Sequence, residues 1–241
     1  MWEWLLAPVD AARAHEVGFA LSWHARLMVL AWTFLVPIGI IAARFFKIWP
    51  GQNWPQELDN QSWWTTHRVC QYSATVLMIV GLILILSRPT LVAVLPGPHS
   101  LIGWTVLALA ATQIIGGILR GTKGGPTDAD IRGDHFDMTP RRLAFEYAHK
   151  SIGYVAWVLS AVAVFSGLWQ ANGPNWMWLS LIMWYLGLVA TCNSLQAKGR
   201  AIAAKSIILA VDECSRSKTL GPGWTGHAAR VSHAARHDRD G

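Results

Sequence analysis

The 241-residue chain predicts an all-α fold, a polytopic membrane helix bundle of five spans. Three observations carry that expectation. Hydrophobic residues make up 53% of the chain and charged residues only 14%, well below the roughly 25% charge of a soluble domain. The apolar residues gather into stretches of 20 or more, the length one helix needs to cross a bilayer. Fifteen tryptophans are far more than a core of this size requires, and tryptophan collects where a membrane meets water.

Taken in order, residues 1–18 form an N-terminal segment in which Trp2, Trp4, Leu5, Leu6 and Val9 alternate with Glu3, Asp10, Arg13 and Glu16. That composition suits a short stretch lying on the membrane surface; a frayed end is the alternative. It lacks the basic region and cleavage site of a signal peptide. The membrane domain is expected over 19–197. Its first span runs from Phe19 to Phe46, with Pro37 and Gly39 as tolerable kink formers. A Pro-, Gly- and Asn-containing loop, Trp49 to Ser62, leads to the second span, Trp63 to Leu86, which Arg88-Pro89 ends. The Pro96-Gly97-Pro98 turn opens the third span, His99 to Leu119. The longest loop, Arg120 to Glu146, carries Gly124-Gly125-Pro126 and charges of both signs. The fourth span covers Phe145 to Gln170, and Gly173-Pro174 turns into the fifth, Trp176 to Leu195. Residues 198–241 read as a basic tail, helical over Ala201 to Val211 and disordered from Ser215 onward.

Charge orients the bundle. Arg44, Lys47, Arg68, Arg120, Lys123, Arg132, Arg141, Arg142, Lys150, Lys198 and Arg200 fall on one side, and only Arg13, Arg26 and Arg88 on the other. The positive-inside bias then places the N-terminus outside and the C-terminus in the cytoplasm. The net charge of +6 belongs to that bias, and no nucleic-acid partner is expected. Cys70, Cys192 and Cys214 include no C-x-x-C pair, which argues against a disulfide framework and covalent c-type haem.

Four spans open with a histidine about one turn inside the apolar run: His24, His67, His99 and His149. Ionisable side chains there are costly and mark functional sites. A lone buried histidine is more often a satisfied polar residue, but four at matching depths are not explained that way. Alternating crossings pair His24 with His99 near the outer face and His67 with His149 near the cytoplasmic face. Facing imidazoles from a helix bundle suit the axial positions of haem iron. The expectation is therefore a four-helix haem-binding core, residues 22–170, with two b-type haems and one additional transmembrane helix. With ligands one turn in from each edge, the irons would lie roughly 15–20 Å apart.

The third and fourth spans share a repeat, His99-x3-Gly103-x13-Gly117 and His149-x3-Gly153-x13-Gly167. Eighteen residues complete about five helical turns, so Gly117 and Gly167 share their ligand's face at the depth of the opposite haem, leaving room for a porphyrin. Gly81, 14 positions after His67, suits a similar part; helix packing through small residues is the alternative. Arg26, Arg68 and Lys150 flank ligands and suit haem propionates or an anionic donor, against ordinary interfacial anchoring. Gln71, Gln113 and Asn193 are polar within spans and suit ligand orientation or bonds between helices. His15, His135, His227, His233 and His237 lie outside the spans, and a solvated setting is the simpler reading of them.

The run Trp23-His24-Ala25-Arg26-Leu27-Met28, then Pro37-Ile38-Gly39 and Ala43-Arg44-Phe45-Phe46-Lys47, resembles the opening helix of the cytochrome b561 domain. His67 with Gln71, His99 with Gly103 and Gln113, and His149 with Gly153 are similar to its other core helices. The chain resembles bacterial members most, and the form fused elsewhere to a DOMON domain. About 20 residues precede the first span here, so that domain is not expected. The resemblance implies a transmembrane di-haem b-type electron carrier in a bacterial inner membrane. Such carriers take electrons from ascorbate or another cytoplasmic reductant, and deliver them to a ferric chelate, a radical or a redox protein. Many eukaryotic members have six spans, against five here. The runner-up reading is a cytochrome b anchor subunit exchanging electrons between quinone and a partner dehydrogenase or reductase. A third is a histidine-lined metal transporter or scaffold. Lipid is a partner in each, and a homodimer is left open.

Overall fold

The computed structural model describes residues 2–15, 17–53, 61–88, 97–120 and 140–201. Among them the regular elements are helices: α1 (Trp2–Leu6), α2 (Phe19–Phe45), α3 (Ser62–Leu86), α4 (Pro98–Leu119), α5 (Pro140–Gln170) and α6 (Asn175–Ala197). Helices α2 to α6 are each long and apolar enough to cross a membrane, five spans as expected. The boundaries agree to within one or two residues except at α5, which starts at Pro140 rather than Phe145. Proline is at ease in a first helical turn, where its missing N–H has no partner to lose. The charged Arg141-Arg142 turn hid that start from a reading based on apolar length. The glycine-rich loop with His135, the tail beyond Ala201 with its expected helix and disordered stretch, Cys214, and the tail histidines lie outside the described residues.

Burial is inverted relative to a water-soluble bundle. Val76, Ile83, Leu101, Ile118 and Met183 are all more than half exposed, while Ala31, Ala74 and Ala156 are buried at the centre. Lipid removes the incentive to hide large apolar side chains, and small ones let helices approach. The central cluster, Ala31, Trp32, Val36, Ala74, Met78, Val106, Ala110 and Ala156, draws on α2 to α5 alone.

Helix α2 carries an irregularity that fastens α6 to this core. Leu30–Leu35 winds as a π-helical turn immediately ahead of Pro37. Proline has no N–H for the Thr33 carbonyl four residues back, and its ring crowds that oxygen; a wider turn relieves both. The freed carbonyl accepts from Trp184 Nε1 of α6 at 2.8 Å. Trp184 also packs on Phe34, ring centroids 4.5 Å apart, and the Thr33 and Tyr185 hydroxyls lie 3.3 Å apart.

The N-terminal segment is clasped onto the α5–α6 turn rather than frayed. Val9 N–H donates to Gly173 O and Asn175 N–H to Ala7 O. Asn172, buried and in the left-handed region at φ 49°, accepts from Asp10 N–H and donates to the Asp10 and Arg13 carbonyls. The Ala12 N–H and the Arg13 side chain hold the Asp10 carboxyl below its ordinary value. Trp2, Trp4 and Leu6 remain exposed beside this clasp.

Candidate functional site: two tiers of histidine

The fold brings the four histidines together in the expected pairs. His24 and His99 face each other with ring centroids 6.5 Å apart and planes at 88°. His67 and His149 do so at 6.4 Å and 71°. The central apolar cluster separates the two tiers. Their depths are tied together by hydrogen bonds: His24 Nδ1–H donates to the Gly81 carbonyl at 2.9 Å, and His67 Nδ1–H donates to the Gly39 carbonyl at 3.0 Å. Antiparallel α2 and α3 thus each lend a histidine to the other's glycine. Gly39 is 15 residues along α2 from His24, so at about 1.5 Å per residue the tiers stand about 20 Å apart.

A carbonyl can only accept, so each of these bonds puts the proton on Nδ1 and leaves Nε2 bare. His99 obeys the same rule, with Nδ1 2.9 Å from the Ala163 carbonyl and 3.3 Å from Ser166 Oγ. Phe145 stacks on His149 at 5.2 Å and 24°. The chemistry fits haem iron. A metal–imidazole bond of about 2 Å on each side, plus about 1 Å from nitrogen to ring centre, puts two axial imidazoles roughly 6 Å apart. Both observed separations are of that size.

Glycines explain how the helices come close enough. A Cβ on Gly39 would stand 2.6 Å from Gln71 Nε2 and 3.1 Å from Cys70 Cβ, and one on Gly81 3.3 Å from Met28. A Cβ on Gly167 would meet the His99 ring at 2.8 Å. The His99 ring therefore lies directly against Gly167. Among the described residues nothing stands within 4 Å of a Cβ on Gly103 or Gly117, and one on Gly153 would stand 3.6 Å from the Gln113 side chain. Gln71 donates to the Val36 carbonyl at 3.3 Å, a bond between α2 and α3, while Asn193 is exposed on α6.

The flanking cations have local partners. Arg26 lies over Trp23 at 5.4 Å, Arg68 over Trp64 and Tyr72 at 5.8 Å, and Lys150 pairs with Glu146 at 3.0 Å. By sequence Arg120 is one of the charges of the long loop. It is buried, 4.1 Å over the Trp64 ring and within electrostatic reach of His67. Gly39, Ala163 and Ser166 were also missed as hydrogen-bond partners of the histidines. The near-equal spacings His24 to Gly39 and His67 to Gly81 were the available signal.

The sequence model of the family described as eukaryotic cytochrome b561 matches residues 23–173. This chain belongs to the cytochrome b561 family. Cytochromes b561 are membrane haem proteins that transfer electrons, and the five apolar helices make this member a multi-pass membrane protein. Among its relatives, a cytochrome b561, DM13 and DOMON domain-containing protein of Arabidopsis thaliana is 27% identical over 202 residues, covering 81% of this chain and 20% of that protein. Ferric-chelate reductase 1 of Homo sapiens is 29% identical over 162 residues, 67% of this chain and 24% of the relative. A putative ferric-chelate reductase 1 homolog of Drosophila melanogaster is 27% identical over 177 residues, 70% and 24% respectively. The chain thus spans about a quarter of the length of these relatives. They are plant and animal proteins, and the matching model is the eukaryotic one, whereas the sequence reading set the chain nearest bacterial members. No solved structure matches the chain.

Proposed function

We propose that this chain carries single electrons across a membrane through two b-type haems, one held by His24 and His99 and one by His67 and His149. The observation that carries the reading is the pair of imidazole couples, 6.4 and 6.5 Å between ring centroids, with Nδ1 of His24, His67 and His99 committed to backbone carbonyls. When bound, haem supplies an iron that gains or loses one electron without bond making. The residues of the chain do the rest. The carbonyls of Gly39, Gly81 and Ala163 fix the tautomer and hold each ring in place, which raises ligand basicity. Open space at Gly103 and Gly117 receives porphyrin, and the alanine-rich centre keeps water from the path between tiers.

The second tier, His67 and His149, stands at the basic end of the bundle, where Arg44 and Arg120 close their helices and Arg68 and Lys150 directly follow the two histidines. By the positive-inside bias that end is cytoplasmic. An anionic reductant is drawn there, and Arg120 is the best-buried cation to face a propionate. Electrons then leave from the first tier to an outer acceptor, for which the ferric-chelate reductase relatives favour a ferric chelate. The test is haem stoichiometry and a redox titration of purified protein. Two haems per chain are expected, with His99→Ala abolishing one component and His149→Ala the other. One haem per chain, or loss of both components in each variant, would sink the two-tier reading.

A further inference from the structure

At the basic end of the bundle, where α2 closes against α6, two arginines meet without an acid between them. Arg44 Nη1 donates to the Tyr154 hydroxyl at 3.0 Å, and Nη2 to Gln196 Oε1 at 3.1 Å. Arg200 donates from Nε to the Phe45 carbonyl at 3.3 Å and from Nη2 to the Ile48 carbonyl at 2.6 Å. Phe45 adjoins Arg44 in the chain, and Gln196 lies one turn before Arg200, so both guanidinium groups occupy one corner. Their four acceptors are all neutral. Among the described residues the ion pairs are Arg13 with Asp10 and Lys150 with Glu146, and neither reaches this corner. A guanidinium has five N–H donors; each of these two commits two of them to the bonds just named.

From the same corner a cavity of about 300 Å³ runs between α2, α5 and α6. Arg44 lines one end and Pro37 the other, with Ile40, Ile41 and Phe45 along the wall. Arg44 and Pro37 are seven residues apart, about 10 Å along the helix. The cavity is therefore graded: cationic level with the end of α2, and apolar toward the middle of the bundle. Gly39, which packs on α3, is on the other side of α2, so this space is separate from that between the imidazoles. Tyr154, on its lining, is 37% exposed on the bundle's flank, where lipid has access.

A free anion meets the charge and leaves the apolar trough unfilled. An uncharged amphiphile fills the trough and leaves the charge unmet, and a zwitterionic head brings a further cation to a corner that already holds two. We propose that this corner binds one anionic phospholipid of the adjoining leaflet, its phosphate between Arg44 and Arg200 and an acyl chain along Ile40 and Ile41. Guanidinium suits phosphate through paired N–H···O bonds, and basic pockets between helices at a membrane's cytoplasmic side take anionic lipid heads. Bound there, the lipid ties α6 to α2. The inference goes beyond the electron-carrier reading and does not rest on it.

The haem-loaded chain, stripped of lipid in a neutral detergent, is titrated with phosphatidylglycerol or with phosphatidylcholine of the same acyl chains, and bound lipid is counted by native mass spectrometry. One phosphatidylglycerol per chain is expected at concentrations where phosphatidylcholine is not retained. Arg44→Gln should raise the half-saturating concentration about tenfold, the size of one hydrogen bond to a charged group. Arg200→Gln and the trough-filling Ile41→Trp should raise it in the same direction. Arg141→Gln removes a charge from the start of α5, outside the cavity lining, and should leave it unchanged. The lipid-free thermal midpoint of each variant shows whether it is folded, and any one folded cavity variant decides the matter. Equal retention of phosphatidylcholine overturns the proposal, as does unchanged binding in the folded cavity variants. An equal loss in Arg141→Gln overturns it too, by showing diffuse attraction to a basic end. Displacement of the lipid by inorganic phosphate at equal concentration would make the corner a bare anion site and overturn it likewise.

Discussion

The two antiparallel helix pairs, α2–α3 and α4–α5, each support histidines in both tiers, but they do so with different economy of space. In α2–α3 the support is reciprocal and tight. His24 bonds the Gly81 carbonyl, His67 bonds the Gly39 carbonyl, and both glycines sit where a methyl group would press on the neighbouring helix. In α4–α5 the His99 ring lies against Gly167 and is bonded to Ala163 and Ser166, while Gly103 and Gly117 border open space. A glycine can therefore serve two ends within one bundle. It admits a neighbouring backbone or imidazole in one place, and leaves volume for a large planar group in another. Sequence position alone does not separate the two uses; what the Cβ would touch does.

The largest expected effect is at Gly39. Gly39→Val forces branched carbons into Gln71 and Cys70, and the rigid Cys70 Cβ at 3.1 Å leaves no cheap escape. Overpacking of this kind costs about 1–3 kcal/mol, and it also pushes the acceptor away from His67. The second-tier haem should be lost or high-spin, with the thermal midpoint lowered, while the first-tier component survives in the redox titration. If both components vanish together, the pairs are not separate supports and the contrast fails.

Gly167→Ala comes next, and it separates the two uses of glycine most directly. Its methyl would stand 2.8 Å from His99 Cε1, so the ring must tilt. The first-tier component should shift in potential and in its low-spin signal, without a comparable change in the second. Gly117→Leu offers the converse. Among the described residues nothing lies within 4 Å of that Cβ, so haem-free protein should keep its thermal midpoint, while haem retention falls because the side chain takes porphyrin volume. A drop in the haem-free midpoint would show that Gly117 is a packing residue.

The histidine tiers were legible because each of the four histidines opens an apolar span, and alternating crossings convert chain order into depth. Period and length were enough for that. What stayed hidden depends on the offset between helices. Gly39 looked like a kink former because nothing in α2 alone says that its carbonyl stands level with His67. The bond from Trp184 to Thr33 was hidden for a related reason: it needs both the π-helical turn ahead of Pro37 and the rotation of α6, whose sequence is apolar all round. That the His99 ring lies against Gly167 was hidden in the same way, since the glycine is on α5 and the imidazole on α4.

The smallest effect sharpens the same contrast. His99 has a side-chain oxygen, Ser166 Oγ at 3.3 Å, beside its carbonyl acceptor, whereas His24 and His67 are bonded to glycine carbonyls. Ser166 also donates to the Ala163 carbonyl at 3.0 Å, so it steadies the acceptor as well as sharing the proton. Ser166→Ala removes the longer and weaker of two interactions, worth about 0.5–1 kcal/mol. For a one-electron couple that is about 20–40 mV. Loss of an acceptor makes the imidazole less basic and favours ferrous iron, so the first-tier midpoint should rise by that amount with the second unmoved. A redox titration reads both components at once. An equal rise in both tiers would mean that Ser166 acts on the bundle as a whole, and that its nearness to His99 carries no tuning role.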